Sequence, residues 1–565
     1  MDARPAPRRR TGKGIAPIAT MAGDAREEVC PSMPTPSAGL PPARPATRVM
    51  PGIRGIPRFR AITTFRRQSP AWFRHPVAAA RQSALMLALV AISVAAHALV
   101  LLSQRAVNLD GSYSSLAPAS ADQVALDLTA YYAANLLLVA AYALLVLLAV
   151  RGRIRGLGRV VVLAVPIALQ AALLFTRPWL STDVLSYIAQ GFVGIAAGGG
   201  NAYTDVPRNV LGTVIGGQLT DLGWRPQTIL SPYGPLWTIY ETLVMTVTRD
   251  VAVATVLMKV APVAAALGSA ALIWRILGIV RPRLRLLGAV VFLWNPVVIT
   301  EVAAEGHLDG VMVFIVLLGL YCTIRGRYAT ATVVGAMAAM TKYIPVILLP
   351  AQLVYAWRTA ERPVDLRRRL LVGCSLALGL VVLLYVPFWQ GIRTLEGLRI
   401  MGQPGPWPTL TGFFFRYVER AYPGLDGGAV TTILVTGGFA IYLLRTALRV
   451  RDAAGLLAAS ARTALAFILV ASPVFYPWYA VLPIAMVALA PETSLLAVVL
   501  ALTVTSRLVA PLVDLRPSYQ PIPAAAYTLT AAGLFLCLAV ALAFGLRAVW
   551  AWAAAGPEET AAAAS

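Results

Sequence analysis

The chain has 565 residues, 58% of them apolar and 13% charged, with a mean hydropathy of +0.71. That balance excludes a water-soluble domain architecture and points to a polytopic membrane protein. The formal charge of +23 does not signal nucleic acid, because residues 1–82 hold 15 lysines and arginines against four acids. The remaining basic residues cluster beside the ends of apolar runs, as the positive-inside rule describes.

Several apolar runs reach the roughly 20 residues needed to cross ~30 Å of hydrocarbon, and strand alternation is absent. The expected fold class is therefore an all-α bundle of about 14 transmembrane helices, with interfacial helices in the outer loops. Cys30, Cys322, Cys374 and Cys537 have no paired spacing, so neither a disulfide frame nor a zinc site is expected.

Residues 1–82 combine Arg8-Arg9-Arg10 with a proline-rich run and few apolar residues. They read as a disordered cytoplasmic tail without a signal peptide, its arginines available to anionic lipid headgroups. The membrane domain is expected over 83–550, with a short cytoplasmic tail over 551–565. A first span near 83–102 leads to a loop with Asp110, Asp122 and Asp127, which is poor in basic residues and so lies outside. Spans near 131–150 and 160–176 flank Arg151, Arg153, Arg155 and Arg159, which marks the inside. The stretch from Arg177 to Asp205 then falls outside, and the chain up to Ser231 suits short interfacial helices.

Within that stretch, Asp183 is followed by Tyr187 and Gln190. Two readings stand side by side: a cap for a helix through VLSYIAQGF, or an ionisable group at the rim of a cavity.

Residues 231–247 begin with turn signals and continue as a short apolar helix that carries Tyr233, and 251–274 is long enough to span. The span near 286–304 contains Asn295-Pro296 and delivers Glu301, Glu305, His307 and Asp309 to the outside, before 310–324 returns to Arg325 and Arg327. Residues 328–357 have arginine at both ends and Thr341-Lys342-Tyr343-Ile344-Pro345 between them. Two short helices meeting at Lys342 satisfy both. A span near 369–387, a long outer loop over 388–428, and spans near 429–447, 457–473, 477–490, 494–511 and 523–547 complete the chain, with both termini inside. SPVFYPWY at 472–479 falls on the outer side.

The cluster Glu305-Gly306-His307-Leu308-Asp309 allows either a hydrogen-bonded turn or a site, and its spacing leaves a divalent metal open while matching no known metal motif. The chain's lysines are Lys13, Lys259 and Lys342. At a broken helix the compact ammonium of Lys342 suits a phosphate oxygen, with Arg177 as a weaker partner, whereas Lys259 reads as snorkelling to the interface. Tyr476, Trp478 and Tyr479 suit either an interfacial aromatic belt or the wall of a sugar site.

The ordered set Asp183-Val-Leu-Ser-Tyr187-Ile-Ala-Gln190, Ser231-Pro-Tyr-Gly-Pro235, Asn295-Pro296, Gly306-His307-x-Asp309, Thr341-Lys342 and Ser472-Pro-x-x-x-Pro-Trp-Tyr479 resembles the GT-C membrane glycosyltransferases. It is most similar to the actinobacterial polyprenol-phosphate-mannose-dependent α-1,6-mannosyltransferases. Gly200-Asn201-Ala202-Tyr203 and His307-Leu308-Asp309 depart from the usual wording of two of these motifs.

The resemblance implies a polyprenyl-phosphate-linked mannose donor, a glycan or glycolipid acceptor, membrane lipids as surroundings, and neither cofactor nor nucleic acid. It also implies transfer on the extracytoplasmic side with Asp183 catalytic. Lys342 and Arg177 would meet the donor phosphate. Tyr187, Gln190, Tyr233, Glu305, His307, Asp309, Tyr476, Trp478 and Tyr479 would line the sugar and acceptor. A lipid or solute transporter is the competing class, and an internal inverted repeat, its usual mark, is not seen.

Overall fold

The computed structural model describes residues 76–107, 121–178, 180–196, 199–224, 230–513 and 521–554. Most of the basic tail, the end of the C-terminal tail and the loop carrying Asp110 lie outside them. The described residues form helices, with one isolated bridge between Gln390 and Ile392 and no strand.

In chain order the α-helices are α1 Pro76–Val107, α2 Ala121–Val150, α3 Leu157–Leu173, α4 Asp183–Val193, α5 Val214–Asp221, α6 Pro235–Val247 and α7 Val251–Val280. Next come α8 Arg285–Leu293, α9 Asp309–Ile324, α10 Tyr328–Ala339, α11 Leu349–Thr359, α12 Pro363–Tyr385, α13 Glu396–Gly402 and α14 Leu410–Ala421. The last six are α15 Gly427–Thr431, α16 Gly437–Leu448, α17 Ala453–Ala466, α18 Val481–Leu489, α19 Thr493–Val513 and α20 Pro521–Ala554.

Among the described residues eight helices are long and apolar enough to cross a membrane, or nine if α8 and the π-helical turn Val298–Ala304 count as one bent span. The expectation of about 14 is not matched by this measure. Its physical reason is that α3, α9, α10 and the Pro477–Leu489 segment are apolar but only 10–17 residues long. At 1.5 Å per residue, even 17 residues reach only about 26 Å.

The breaks follow from the sequence. Pro296 has no N–H to give, and the chain turns by 58° between α8 and the π-helical turn. Asn295 repairs the loss: its Oδ1 accepts the Val297 N–H at 2.9 Å while its Nδ2 donates to Thr503 Oγ1 of α19 at 2.9 Å. The second break lies between α10 and α11, as expected from Pro345, and the SPYGP loop docks into it. Gly234 N–H donates to the Thr341 carbonyl at 3.1 Å and Leu236 N–H to the Met340 carbonyl at 2.9 Å. A side chain at 234 has no room, since a Cβ there would lie 2.1 Å from the Met340 carbonyl oxygen.

The main core gathers buried side chains of α7, α8, α9, α17, α18 and α19. A second core, built by α4, α5, α6 and the start of α7, forms a platform beside it and holds Tyr187, Trp224 and Trp237. This agrees with short helices over 177–231. The site lies where the two cores meet.

Candidate functional site

Asp183 is the first residue of α4, and its backbone N–H is met by Ser181 Oγ at 3.1 Å. Thr182, which precedes the helix, makes no side-chain capping hydrogen bond. Its Oδ2 lies 3.5 Å from His307 Nδ1, and the carboxylate is 17% exposed while His307 is fully buried. The Asp183 carboxylate thus faces His307, while the N–H at the helix start is met by Ser181.

His307 is presented by a tight turn between the π-helical segment and α9. Gly306 makes that turn at φ 72°, a left-handed backbone that suits glycine. The other ring nitrogen, Nε2, lies 3.4 Å from Glu301 Oε2. At 3.4 and 3.5 Å these are charge contacts, and neither nitrogen meets hydrogen-bond geometry. Burial alone would lower the histidine's pKa, but Asp183 and Glu301 more than reverse it and hold it at about 9. His307 is therefore an imidazolium at neutral pH, flanked by two carboxylates.

Glu301 in turn receives Arg507 Nη1 on its Oε1 at 2.7 Å, and Arg507 Nη2 donates to the Tyr131 hydroxyl at 2.9 Å. Glu301 and Arg507 are each 1% exposed. Neither is among the site residues read from sequence. For Arg507 a signal was present: an arginine amid the apolar residues of α19 is rare inside a membrane and faces a partner when it occurs.

Glu305 serves the backbone. Its Oε2 accepts the N–H groups of Leu180 and Ser181 at 2.9 and 3.1 Å, which anchors the turn that delivers Asp183. Burial, then the neighbouring charge of Glu301, push its carboxyl up to about 8.

Lys342 meets Asp309 on both carboxylate oxygens at 2.9 Å. Its Nζ also sits 4.3 Å from the centre of the Tyr479 ring. His307 stacks on Trp478 at 3.8 Å, and Trp478 on Tyr476 at 4.8 Å. Of the three aromatics expected as a sugar wall, Trp478 covers His307, Tyr479 faces Lys342, and Tyr476 packs against both rings. Tyr187 packs edge-on against Tyr233 and Trp237, and Gln190 is buried behind it.

Two residues stand elsewhere. Arg177 is exposed and lines a separate cavity of about 170 Å³ with Leu222, Ala252 and Thr255. Lys259, expected to snorkel, is fully buried, and its ammonium donates to the carbonyls of Leu173 and Thr176 at 2.6 and 2.5 Å. The reason is that α3 ends inside the bundle, so its last carbonyls need a donor there.

Among the described residues no group of three or more His, Cys, Asp or Glu side chains is arranged to hold a metal ion. What the arrangement offers is one partly exposed carboxylate, a buried imidazolium behind it, and a nearby ammonium.

The family described as "Alpha-(1->6)-mannopyranosyltransferase, N-terminal domain" matches residues 81–359, just under half of the chain. That stretch contains Asp183, Glu301, Glu305, His307, Asp309 and Lys342, whereas Trp478 and Arg507 lie beyond it. A curated relative, Alpha-(1->6)-mannopyranosyltransferase A of Corynebacterium glutamicum, is 29% identical over 194 residues. The aligned part covers 32% of this chain and about a third, 36%, of that relative's length. By motif order, family match and relative alike, this membrane protein is similar to the actinobacterial α-1,6-mannosyltransferases of the GT-C type.

Proposed function

We propose that the chain is an integral-membrane mannosyltransferase, taking mannose from a polyprenyl-phosphate donor and passing it to a hydroxyl of a glycan or glycolipid acceptor on the extracytoplasmic side. The observation that carries this reading is Asp183, a partly exposed carboxylate set against a buried His307 that already holds its proton. His307 is fully buried with a carboxylate against each ring nitrogen, which leaves the partly exposed Asp183 as the base.

The step balances as a single displacement. Asp183 takes the acceptor hydroxyl's proton, the freed oxygen forms a bond to the sugar's C1, and the bond from C1 to phosphate breaks with its electrons going to the lipid phosphate. Attack from the face opposite the departing phosphate inverts the anomeric centre, so a β-linked donor yields an α product. Lys342 neutralises the departing phosphate in this reading, sharing its charge with Asp309. Glu305 and the aromatic residues keep the base and cations in place.

The test is Asp183→Asn in protein purified into nanodiscs, assayed with polyprenyl phosphomannose and a mannan acceptor. Turnover is expected to fall by ~10²-fold or more, the range for a lost acid–base group, with unfolding temperature near that of the wild type. Turnover within twofold of wild type removes Asp183 from the chemistry.

A further inference from the structure

We propose that Glu301, Arg507 and Tyr131 form a buried positioning chain that holds the His307 ring against Asp183. Its geometry stands by itself, while its consequence for turnover rests on the transferase reading above.

The contacts are continuous from α2 to α4. The Tyr131 hydroxyl donates to the Arg507 carbonyl at 3.1 Å and accepts from the guanidinium of the same residue, so α2 fixes the rotamer of a side chain on α19. Arg507 Nη1 then fixes Glu301 Oε1 at 2.7 Å, and Glu301 Oε2 faces His307 Nε2 at 3.4 Å. Glu301 is aimed by the π-helical turn that follows Pro296, and such turns are common where a helix must redirect one side chain to a site. His307 N–H donates to the Glu301 carbonyl at 3.0 Å, which ties the two residues through the backbone as well.

A planar fork such as Arg507 can hold two partners at once. Without the fork, Glu301 would keep only the His307 ring as a partner, and nothing would hold its carboxylate in place beside Nε2.

The groups facing His307 are few. Asp183 comes from α4, Glu301 from the π-helical turn and Glu305 from the histidine's own turn, with the Trp478 ring over one face. Behind them stand Arg507, against Glu301, and Lys259, whose charge acts on Glu305. Asp309, two residues along, is engaged by Lys342.

The experiment is a direct titration of His307 by NMR of imidazole carbon in the full-length protein in nanodiscs. The chain has three histidines, so His307→Gln assigns the signal. Glu301→Gln keeps shape and removes charge, and the His307 midpoint is expected to fall by about one unit or more relative to wild type, as losing a close opposite charge requires. The alkaline limb of kcat should move down with it. Arg507→Lys keeps one charge but not the fork, and a smaller shift in the same direction is expected. Arg462→Gln, in an exposed pair with Glu492, serves as the control and should leave the midpoint in place.

If Glu301→Gln leaves the His307 midpoint unmoved, Asp183 alone sets the charge and the proposal is overturned. Should Glu301→Gln fail to fold, an unmoved midpoint in Arg507→Lys overturns it equally. A shifted midpoint in protein that transfers no mannose, wild type included, upholds the positioning chain and rejects the transferase reading.

Discussion

Lys342 and Asp309 neutralise each other in a place nearly closed to water, with side-chain exposures of 9% and 2%. Removing one partner strands the other. Asp309→Asn is expected to lower stability by roughly 3–5 kcal/mol, the cost of an uncompensated buried charge. Pairing it with Lys342→Met should recover part of that loss, and a double-mutant cycle in unfolding free energy measures how much. Lys342→Met should also weaken donor binding by about 10- to 150-fold, the size of a charge-assisted phosphate contact. Lys259→Met should destabilise for a different reason, because Lys259 closes the end of α3.

Glu241 gives a pH prediction at the same scale. It is fully buried in α6, and burial raises its carboxyl well above the usual range, opposed by Trp237. A raised carboxyl means that the folded state holds the proton more tightly than the unfolded chain. Its contribution is therefore most favourable at low pH and is lost as pH rises past the unfolded value of about 4.3. Glu241→Gln should raise the unfolding temperature at pH 8 and change it little at pH 4. An equal effect at both pH values would show that Glu241 is ionised in the fold.

At the scale of elements, the site depends on two broken helices whose loose ends are stitched to other segments. The break between α10 and α11 is satisfied by backbone donors of the SPYGP loop, and that loop also receives the Tyr203 hydroxyl on the Tyr233 carbonyl at 3.0 Å. Gly234→Ala forces a methyl group against the Met340 carbonyl. It should cost ~1–3 kcal/mol, as overpacking does, and should lower turnover because Lys342 follows two residues later. Gly217→Ala, with open space around its Cβ in α5, is the comparison and should be neutral or stabilising by about 0.4–1 kcal/mol. Equal unfolding temperatures for the two variants would mean that the loop does not need its close approach.

At the scale of the whole molecule, the arginine distribution predicts that the 177–235 segment lies outside and residues near 358–369 inside. Cysteine labelling in intact cells tests this. Ser181 is buried and would resist any reagent, whereas Gly212 is exposed with open space around it, and Glu361 is exposed on the opposite expected side. With the native cysteines replaced by serine, Gly212→Cys should react with a membrane-impermeant maleimide and Glu361→Cys only after the membrane is opened. The reverse pattern would overturn both the orientation and an extracytoplasmic lipid-linked donor.

Composition and periodicity by themselves determined that the chain is helical and membrane-embedded, because apolar runs and arginine clusters are local features. Proline placed the break after Lys342 for the same reason, since the missing N–H acts on its own turn, whereas the bend at Pro296 lies inside what reads as one span and came from the structure. Motif order likewise pointed to Asp183, His307 and Lys342. Only the tertiary structure decided which of those residues meet. Asp183 and His307 are brought together across α4 and the turn before α9, and Lys342 turns to Asp309. The structure also replaced snorkelling by a buried cap at Lys259, and drew Arg507 and Tyr131 into the site from helices far away in sequence. Such pairings were not legible because a buried charge is matched by whatever group the packing of distant helices sets within a few ångströms of it, and no local pattern records that distance.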